Sequence, residues 1–403
     1  MFINEALPVP YHQQDVNYYC GSAAAQMVLR FTGEPLADQH DLFWSKIHPN
    51  TVMEPTGWFS GPDGLEWALV DGDSSARGFT LHALENEGAL ARQMVWSIHH
   101  DRVPAVALVR GFEHWMVVRG YTATAVPRSA TDTSYSIINF DVRDPEPPAV
   151  NRVVPPHGPN DGCGSGHDRG VADQTIGYQA WQSDYMTGVT AGFWEGKFLA
   201  VAGPLSRPEP PAGLQVVQAH TLPVAKRQLP SSAGPIKSKT AIESARAGLQ
   251  AQGLTTRTNY SQVLKRARPG TPLLVRRLDR LHSFYYIVPM QDKGGVALVV
   301  LVDATTGDFQ RSAIRTGNSG SVFSILTVRE AKAKVVGRRF TLPNQQGYLT
   351  VPKRLPAPTL VWRPCLESQS PLLPFYQFIV DARQIYVRGD GEVFMELQDG
   401  TGK

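Results

Sequence analysis

The chain has 403 residues, of which 42% are hydrophobic and 9% aromatic, and it carries a formal net charge of +3. This composition is typical of a soluble globular protein with two or three domains, and the lack of an apolar run of about 18 residues excludes a membrane-spanning helix. The first residues lack the basic and apolar regions of a secretory signal peptide, so we expect a cytoplasmic protein, or one exported by a route that needs no such signal.

Charge is distributed unevenly along the chain. Residues 1–205 contain 12 basic and 23 acidic residues, a net charge of −11, whereas residues 206–403 contain 27 basic and 13 acidic residues, a net charge of +14. The two halves are either domains with unrelated surfaces or partners in which the basic half docks on the acidic half. Dense Lys/Arg runs with interleaved aromatic residues are absent, so we expect no nucleic-acid partner.

The sequence of the first half predicts helices that are followed by strands. Apolar periodicity and strand-forming runs predict helices over 20–33, 63–72 and 85–101, then strands over 103–111, 114–123 and 134–144. Because helices and strands are segregated along the chain, the pattern indicates an α+β fold rather than an alternating α/β fold.

Proline, glycine and the change of charge divide the chain further. We predict a first domain over 1–205, a Pro-rich linker over 206–238, an α+β accessory unit over 239–340 and a second, β-rich unit over 341–403. The segments "SFYYIVPM" and "PFYQFIVD" form a weak internal echo, each followed by a further strand and turn. These two units loosely resemble small cystatin-like or peptidase-propeptide-like domains.

Cys20 lies between a polar, aromatic loop and a helix that begins with small residues, "CGSAAA". The three cysteines are far apart and odd in number, which favours free thiols in a reducing compartment. A thiol at a helix start lies at the positive end of the helix dipole, which favours the thiolate. We expect Gly21 to leave space beside the sulfur for a substrate carbonyl. We also expect the side-chain amide of Gln14 to lie near the same position, where it could stabilise an oxyanion.

A nucleophilic cysteine needs a base, and His114 begins a strongly patterned strand after a loop. The neighbouring strand ends at Asp144, next to a proline, and pairing of the two strands places Asp144 beside His114. Asp141 is the competing carboxylate, but the odd spacing places it on the opposite face of the strand.

These residues and their order resemble a known family. The segments "VPYHQQDVNYYCGSAAAQMVL", "HWMVVRGY" and "VRDP" are similar to papain-like cysteine peptidases of family 39, which includes the double-glycine leader peptidases of bacteriocin exporters. The resemblance covers roughly residues 6–203 and implies a papain-like fold with a catalytic Cys20, His114 and Asp144, and an oxyanion site made by Gln14 and the Cys20 backbone N–H. The membrane and ATPase segments of the exporters are absent from the sequence, as is a phosphate-binding loop.

The resemblance implies hydrolysis of a peptide or amide bond in a peptide or protein substrate, through an acyl-enzyme on Cys20. Transfer of the acyl group to an amine, deamidation, and a non-catalytic peptide-binding module on the same fold are the alternatives. Residues 155–175 form a Gly-rich loop that contains Cys163, His157, His167 and Asp168. Its spacing lacks a Cys-x-x-Cys pair, so we expect a surface loop at the rim of the cleft rather than a metal site, and we expect no cofactor.

Overall fold

The computed structural model describes residues 2–15, 18–53, 60–146, 173–204, 234–315, 323, 325–341, 347–365, 367–368 and 370–397. Its α-helices are α1 Cys20–Thr32, α2 Gln39–Asp41, α3 Pro62–Gly72, α4 Glu87–Trp96, α5 Tyr178–Ala180, α6 Ser238–Ala251, α7 Thr258–Leu264 and α8 Val328–Val335. Short π-helices extend α2, α4 and α5 over Leu42–Ile47, Ser97–Asp101 and Trp181–Tyr185, and 3-10 turns cover His48–Asn50 and Leu254–Thr256. Among these described helices, none has the length and apolarity needed to cross a membrane.

The strands are β1 Ile3–Ala6, β2 Thr80–Leu84, β3 Ala105–Val109, β4 His114–Ala123, β5 Ile137–Arg143, β6 Asp173–Gly177, β7 Phe198–Ala202, β8 Arg268–Pro269, β9 Leu273–Arg277, β10 Phe284–Asp292, β11 Gly295–Asp303, β12 Phe309–Ile314, β13 Arg339–Thr341, β14 Tyr348–Thr350, β15 Thr359–Trp362, β16 Phe375–Val380, β17 Arg383–Arg388 and β18 Val393–Phe394. Together with the helices they form an α+β fold, which confirms the predicted fold class at this level.

One large sheet runs through both halves of the chain. Its order is β18-β17-β16-β15-β9-β10-β11-β12-β6-β5-β4-β3-β7-β2, with β1 also paired to β4 and β8 to β10. All pairs in this sheet are antiparallel except β15 with β9, and β13 and β14 form a separate hairpin. Hydrogen-bonded strands connect the first and second halves directly. The domain limits drawn from composition remain predictions.

Helix α1 is the central helix of the first half. Its three consecutive alanines, Ala23–Ala25, favour helix formation and are completely buried, because α1 packs against both β4 and α3. The helix ends at Gly33, which adopts φ +102° and donates its N–H to the Arg30 carbonyl. A left-handed residue at this position is a common helix stop that glycine adopts without steric cost.

The strands of the first half place the polar residues predicted to be functional. β3 and β4 form a tight hairpin in which Val109 pairs with His114, and β4 pairs on its other side with β5, where Val117 lies opposite Arg143. Residue 144 follows directly after β5, and Pro145 cannot donate a ladder hydrogen bond. The start of β4 and the end of β5 therefore meet at the same end of the sheet.

The junction between the two halves is the pairing of β6 with β12, which includes Thr175 opposite Ser312. The predicted loop 155–175 therefore ends earlier than expected, since Asp173–Thr175 belong to β6. The isolated stretch "DQTIG" gave no strand signal because it is short and polar, and one of its two pairing partners, β12, lies more than a hundred residues away. The remainder of that loop lies outside the described residues.

Ion pairs across the junction follow the charge difference between the halves. The bonded atoms are 2.7 Å apart in Arg257–Asp141, 2.6 Å in Arg311–Asp144 and 2.6 Å in Arg280–Asp184, and Arg277 also approaches Asp184 at 3.3 Å. In each pair the basic group comes from the second half and the acidic group from the first.

Candidate active site

Cys20 is the first residue of α1, and only 5% of its surface is exposed. Tyr19 precedes it as the N-cap residue and makes no side-chain cap hydrogen bond. The N–H groups of a first helical turn have no acceptor within the helix, and the helix dipole places partial positive charge there. Cys20 therefore lies beside backbone N–H groups that have no acceptor within the helix.

The loop before α1 is held by a small polar network. The Tyr19 hydroxyl lies 2.9 Å from His40 Nδ1 and accepts a hydrogen bond from Trp44 Nε1 at 3.1 Å. Tyr19 is also packed against the ring of Phe43, with the ring centres 5.2 Å apart. These contacts fix the residue immediately before Cys20.

His114 is the first residue of β4 and is buried, with 1% of its surface exposed. Its Nε2 lies 2.8 Å from Asp144 Oδ1. Because an ionised carboxylate can only accept hydrogen bonds, Nε2 carries the proton of this pair. The Cys20 thiol is close enough to the imidazole to contribute to the raised pKa of His114, and Nδ1 is the ring nitrogen that does not face Asp144.

The electrostatics of the site favour an ionised histidine. Burial disfavours the imidazolium ion, but the Asp144 carboxylate and the Cys20 thiol more than offset this cost and raise the pKa of His114 to about 9. Burial likewise opposes ionisation of Asp144, yet His114, Arg311 and Arg110 hold the pKa of its carboxyl group well below the usual range. At neutral pH the pair is therefore an imidazolium ion and a carboxylate.

Asp144 is bound through both of its oxygens. Oδ1 accepts from His114 Nε2 and from the backbone N–H of Glu146 at 3.0 Å. Oδ2 accepts from Arg311 Nη2 at 2.6 Å. The carboxylate is thus fixed against rotation, and it can hold the imidazole ring in one orientation.

Asp141, the competing carboxylate, lies elsewhere. Both of its oxygens lie 2.7 Å from Nη1 of Arg257, and Oδ1 also accepts from the Thr175 hydroxyl at 2.7 Å. Asp141 and Asp144 are three residues apart, and side chains alternate between the two faces of a strand, so the two carboxylates point to different faces. Asp144, and not Asp141, is the carboxylate that contacts His114.

The expectation for Gly21 was wrong. A Cβ atom at Gly21 would lie 2.3 Å from Ser60 Oγ and 3.2 Å from Cδ1 of Trp115, so the missing side chain makes room for Ser60 and not for a substrate. Trp115 donates its Nε1–H to the Ser60 carbonyl at 2.8 Å. This contact holds Ser60 against β4, next to Gly21 at the start of α1.

Gln14 is buried, with 3% of its surface exposed, and its backbone N–H donates to the Pro145 carbonyl at 3.0 Å. The next N–H, of Asp15, donates to the Gln39 side chain at 3.0 Å. The loop that carries Gln14 is therefore attached to the residue that follows Asp144. Its expected role in binding an oxyanion remains a prediction.

Sequence reasoning did not find Arg311. This residue lies on β12, 1% of its surface is exposed, and it donates from Nη1 to the Tyr185 hydroxyl at 2.8 Å as well as to Asp144. The arginine within the stretch "FQRSAI" was a usable signal, because an arginine that is buried in a strand requires an acidic partner.

The predicted rim loop with Cys163, His157, His167 and Asp168 lies outside the described residues. Within the described part of the chain, no group of three His, Cys, Asp or Glu side chains is arranged to hold a metal ion. Comparison with protein-family models, with curated proteins and with solved structures finds no match. The functional assignment therefore depends on the chemistry of the site itself.

Proposed function

We propose that this protein is a papain-like cysteine hydrolase that cleaves a peptide or amide bond in a peptide or protein substrate. The observation that carries the proposal is the buried contact chain from Cys20 through His114 to Asp144, whose members are 94 and 30 residues apart in sequence. A nucleophile, a base and an orienting carboxylate in hydrogen-bonding contact are the parts that covalent acyl transfer requires.

The reaction follows from the roles of these groups. The Cys20 thiolate attacks the substrate carbonyl carbon, forming a C–S bond, while the oxyanion is stabilised by the Cys20 backbone N–H and by Gln14. His114 gives its Nδ1 proton to the leaving amine, and the C–N bond breaks to leave an acyl-enzyme. His114 then removes a proton from water, which attacks the thioester and releases the acid.

Site-selective alkylation tests whether Cys20 is a nucleophile. We expect iodoacetamide to modify Cys20 faster than Cys163 and Cys365 at neutral pH, and His114→Ala to remove this preference. Cys365 is a suitable internal reference, because burial and the nearby Glu367 raise the pKa of its thiol to about 12. Equal, slow modification of all three thiols would favour a non-catalytic peptide-binding module.

A peptide library analysed by mass spectrometry tests the reaction itself. Cleaved products that disappear with Cys20→Ser support hydrolysis. Products that contain an added amine acceptor indicate acyl transfer, and a gain of about 1 Da on glutamine or asparagine without cleavage indicates deamidation. If wild-type and Cys20→Ser protein give the same product spectra, the proposal is wrong.

A further inference from the structure

Arg311 connects the second half of the chain to the base–carboxylate pair. It lies on β12, the strand of the second half that pairs with β6, and Arg311 itself is opposite Ile176. Its guanidinium is almost completely buried. A buried guanidinium must be paired, and both of its described hydrogen bonds go to residues of the first half, Asp144 and Tyr185.

The geometry of these contacts holds Asp144 from the side opposite His114. Arg311 Nη2 lies 2.6 Å from Oδ2, while His114 lies 2.8 Å from Oδ1. The guanidinium itself is held by the Tyr185 hydroxyl and lies over the Tyr185 ring, 5.5 Å from its centre. Each oxygen of the carboxylate thus has one charged donor, and Arg311 is the described donor to Oδ2.

We propose that Arg311 is a positioning residue for the His114–Asp144 pair, so that the second half of the chain is an activating part of the active site and not an inhibitory cover. This inference rests on the proposed function and specifies how that site is regulated. It assigns the second half a role that the first half cannot replace, because a guanidinium 167 residues away in sequence completes the surroundings of Asp144.

The charges around Asp144 explain why this contact matters. The groups that face its carboxyl are His114, Arg311 and, at longer range, Arg110. Arg110 packs its guanidinium against the rings of Tyr185 and Trp362, 5.1 and 5.5 Å from their centres. Without Arg311 the buried carboxylate loses its described donor at Oδ2, so its orientation toward His114 is less well defined.

Arg257 provides a matched control. It is a second arginine from the basic half that binds an aspartate of β5, at 2.7 Å from Asp141. Asp141 does not contact His114, so Arg257→Met removes a comparable ion pair between the halves without touching the proposed catalytic pair. A loss of Cys20 reactivity that is common to both variants reflects damage to the junction between the halves. A loss that is specific to the Arg311 variant reflects the positioning of Asp144.

The experiment measures the rate of Cys20 alkylation by iodoacetamide as a function of pH in the full chain, together with thermal unfolding. We expect Arg311→Met to slow alkylation at neutral pH about tenfold, the loss expected for one charge-assisted hydrogen bond. We also expect the pH profile of alkylation to change, because the Asp144 carboxyl ionises less readily without the Arg311 charge. Arg311→Lys restores part of the rate, since it keeps the charge but loses the forked geometry.

Two further variants make the outcome decisive. Arg257→Met lowers the unfolding temperature but keeps the wild-type alkylation rate and pH profile, and Tyr185→Phe, which frees the far side of the Arg311 guanidinium, slows alkylation severalfold. A folded Arg311→Met protein with the wild-type rate and pH profile overturns the inference while leaving the proposed function intact. Equal losses in Arg311→Met and Arg257→Met also overturn it. If wild-type Cys20 is no more reactive than Cys163, the proposed function fails first.

Discussion

At the scale of single residues, two neighbouring aspartates, one in β5 and one directly after it, have different partners. Asp144 holds His114 and Arg311, whereas Asp141, three residues earlier, holds Arg257 and Thr175. The residue pattern was sufficient to favour Asp144, because side chains alternate along a strand. It could not reveal that both acids bind arginines from the other half of the chain, since those contacts depend on long-range strand pairing.

The different partners give a direct prediction for the two acids. We expect Asp144→Asn to slow Cys20 alkylation about tenfold to a hundredfold, because the imidazolium ion loses a charged hydrogen-bond acceptor. Asp141→Asn leaves Arg257 without its charge partner and lowers the unfolding temperature, but it preserves the alkylation rate. Both rates are measured per folded molecule, with circular dichroism as the check on folding. Equal rate losses in the two variants would show that strand integrity, and not the Asp144 carboxylate, controls Cys20.

At the scale of elements, the start of α1 depends on the close approach of Ser60 to Gly21. The helix itself was predictable from its alanines, its apolar periodicity and Gly33. The packing of Ser60 against Gly21 was not predictable, because it joins two segments about forty residues apart and produces no periodicity in either. This is the physical reason why Gly21 was expected to face a substrate.

The close approach predicts the effect of adding one methyl group. In Gly21→Ala the new Cβ lies 2.3 Å from Ser60 Oγ, so the Ser60 segment or the start of α1 must move. We expect a loss of about 1–3 kcal/mol in the free energy of unfolding and slower alkylation of Cys20. Gly33→Ala, at the other end of α1, strains a left-handed residue at φ +102° and costs about 1 kcal/mol. It should leave alkylation unchanged, and a Gly21→Ala protein with wild-type stability and reactivity would contradict the packing described.

At the scale of the whole molecule, one sheet passes through both halves. The unequal charges left open whether the halves attract each other or have unrelated surfaces. In the structure, arginines of the second half pair with aspartates of the first half at Arg257, Arg311, Arg277 and Arg280. Composition alone could not show that β12 of one half pairs with β6 of the other. A Pro-rich stretch between two charge blocks equally fits two separate domains.

The continuous sheet predicts cooperative unfolding. The buried Tyr260 hydroxyl lies 3.2 Å from Thr175 Oγ1 on β6 and 2.8 Å from Ser312 Oγ on β12, so it bridges the junction. We expect Tyr260→Phe to lower the free energy of unfolding by about 1–2 kcal/mol, because buried hydroxyl groups lose a partner. Tryptophan fluorescence and far-ultraviolet circular dichroism should show one coincident transition, shifted as a whole. Two transitions, with only one displaced by the substitution, would show that the halves unfold independently.

The central claim is that folding brings the side chains of Cys20, His114 and Asp144 together, with His114 ionised beside the Asp144 carboxylate. The protonation state of His114 tests this claim most directly. Nuclear magnetic resonance titration of nitrogen-15-labelled histidine, assigned with His114→Gln, measures this state. Because the folded pKa of His114 is raised from 6.5 to about 9, its charge is present at neutral pH. The stability that this charge contributes is full below pH 6.5 and is lost as the pH rises from there through about 9.

We predict that His114 remains protonated through neutral pH in the wild type, and that Asp144→Asn and Cys20→Ser each lower the pH at which it loses its proton. A wild-type His114 that is already neutral at pH 7 and unaffected by either substitution would contradict the account.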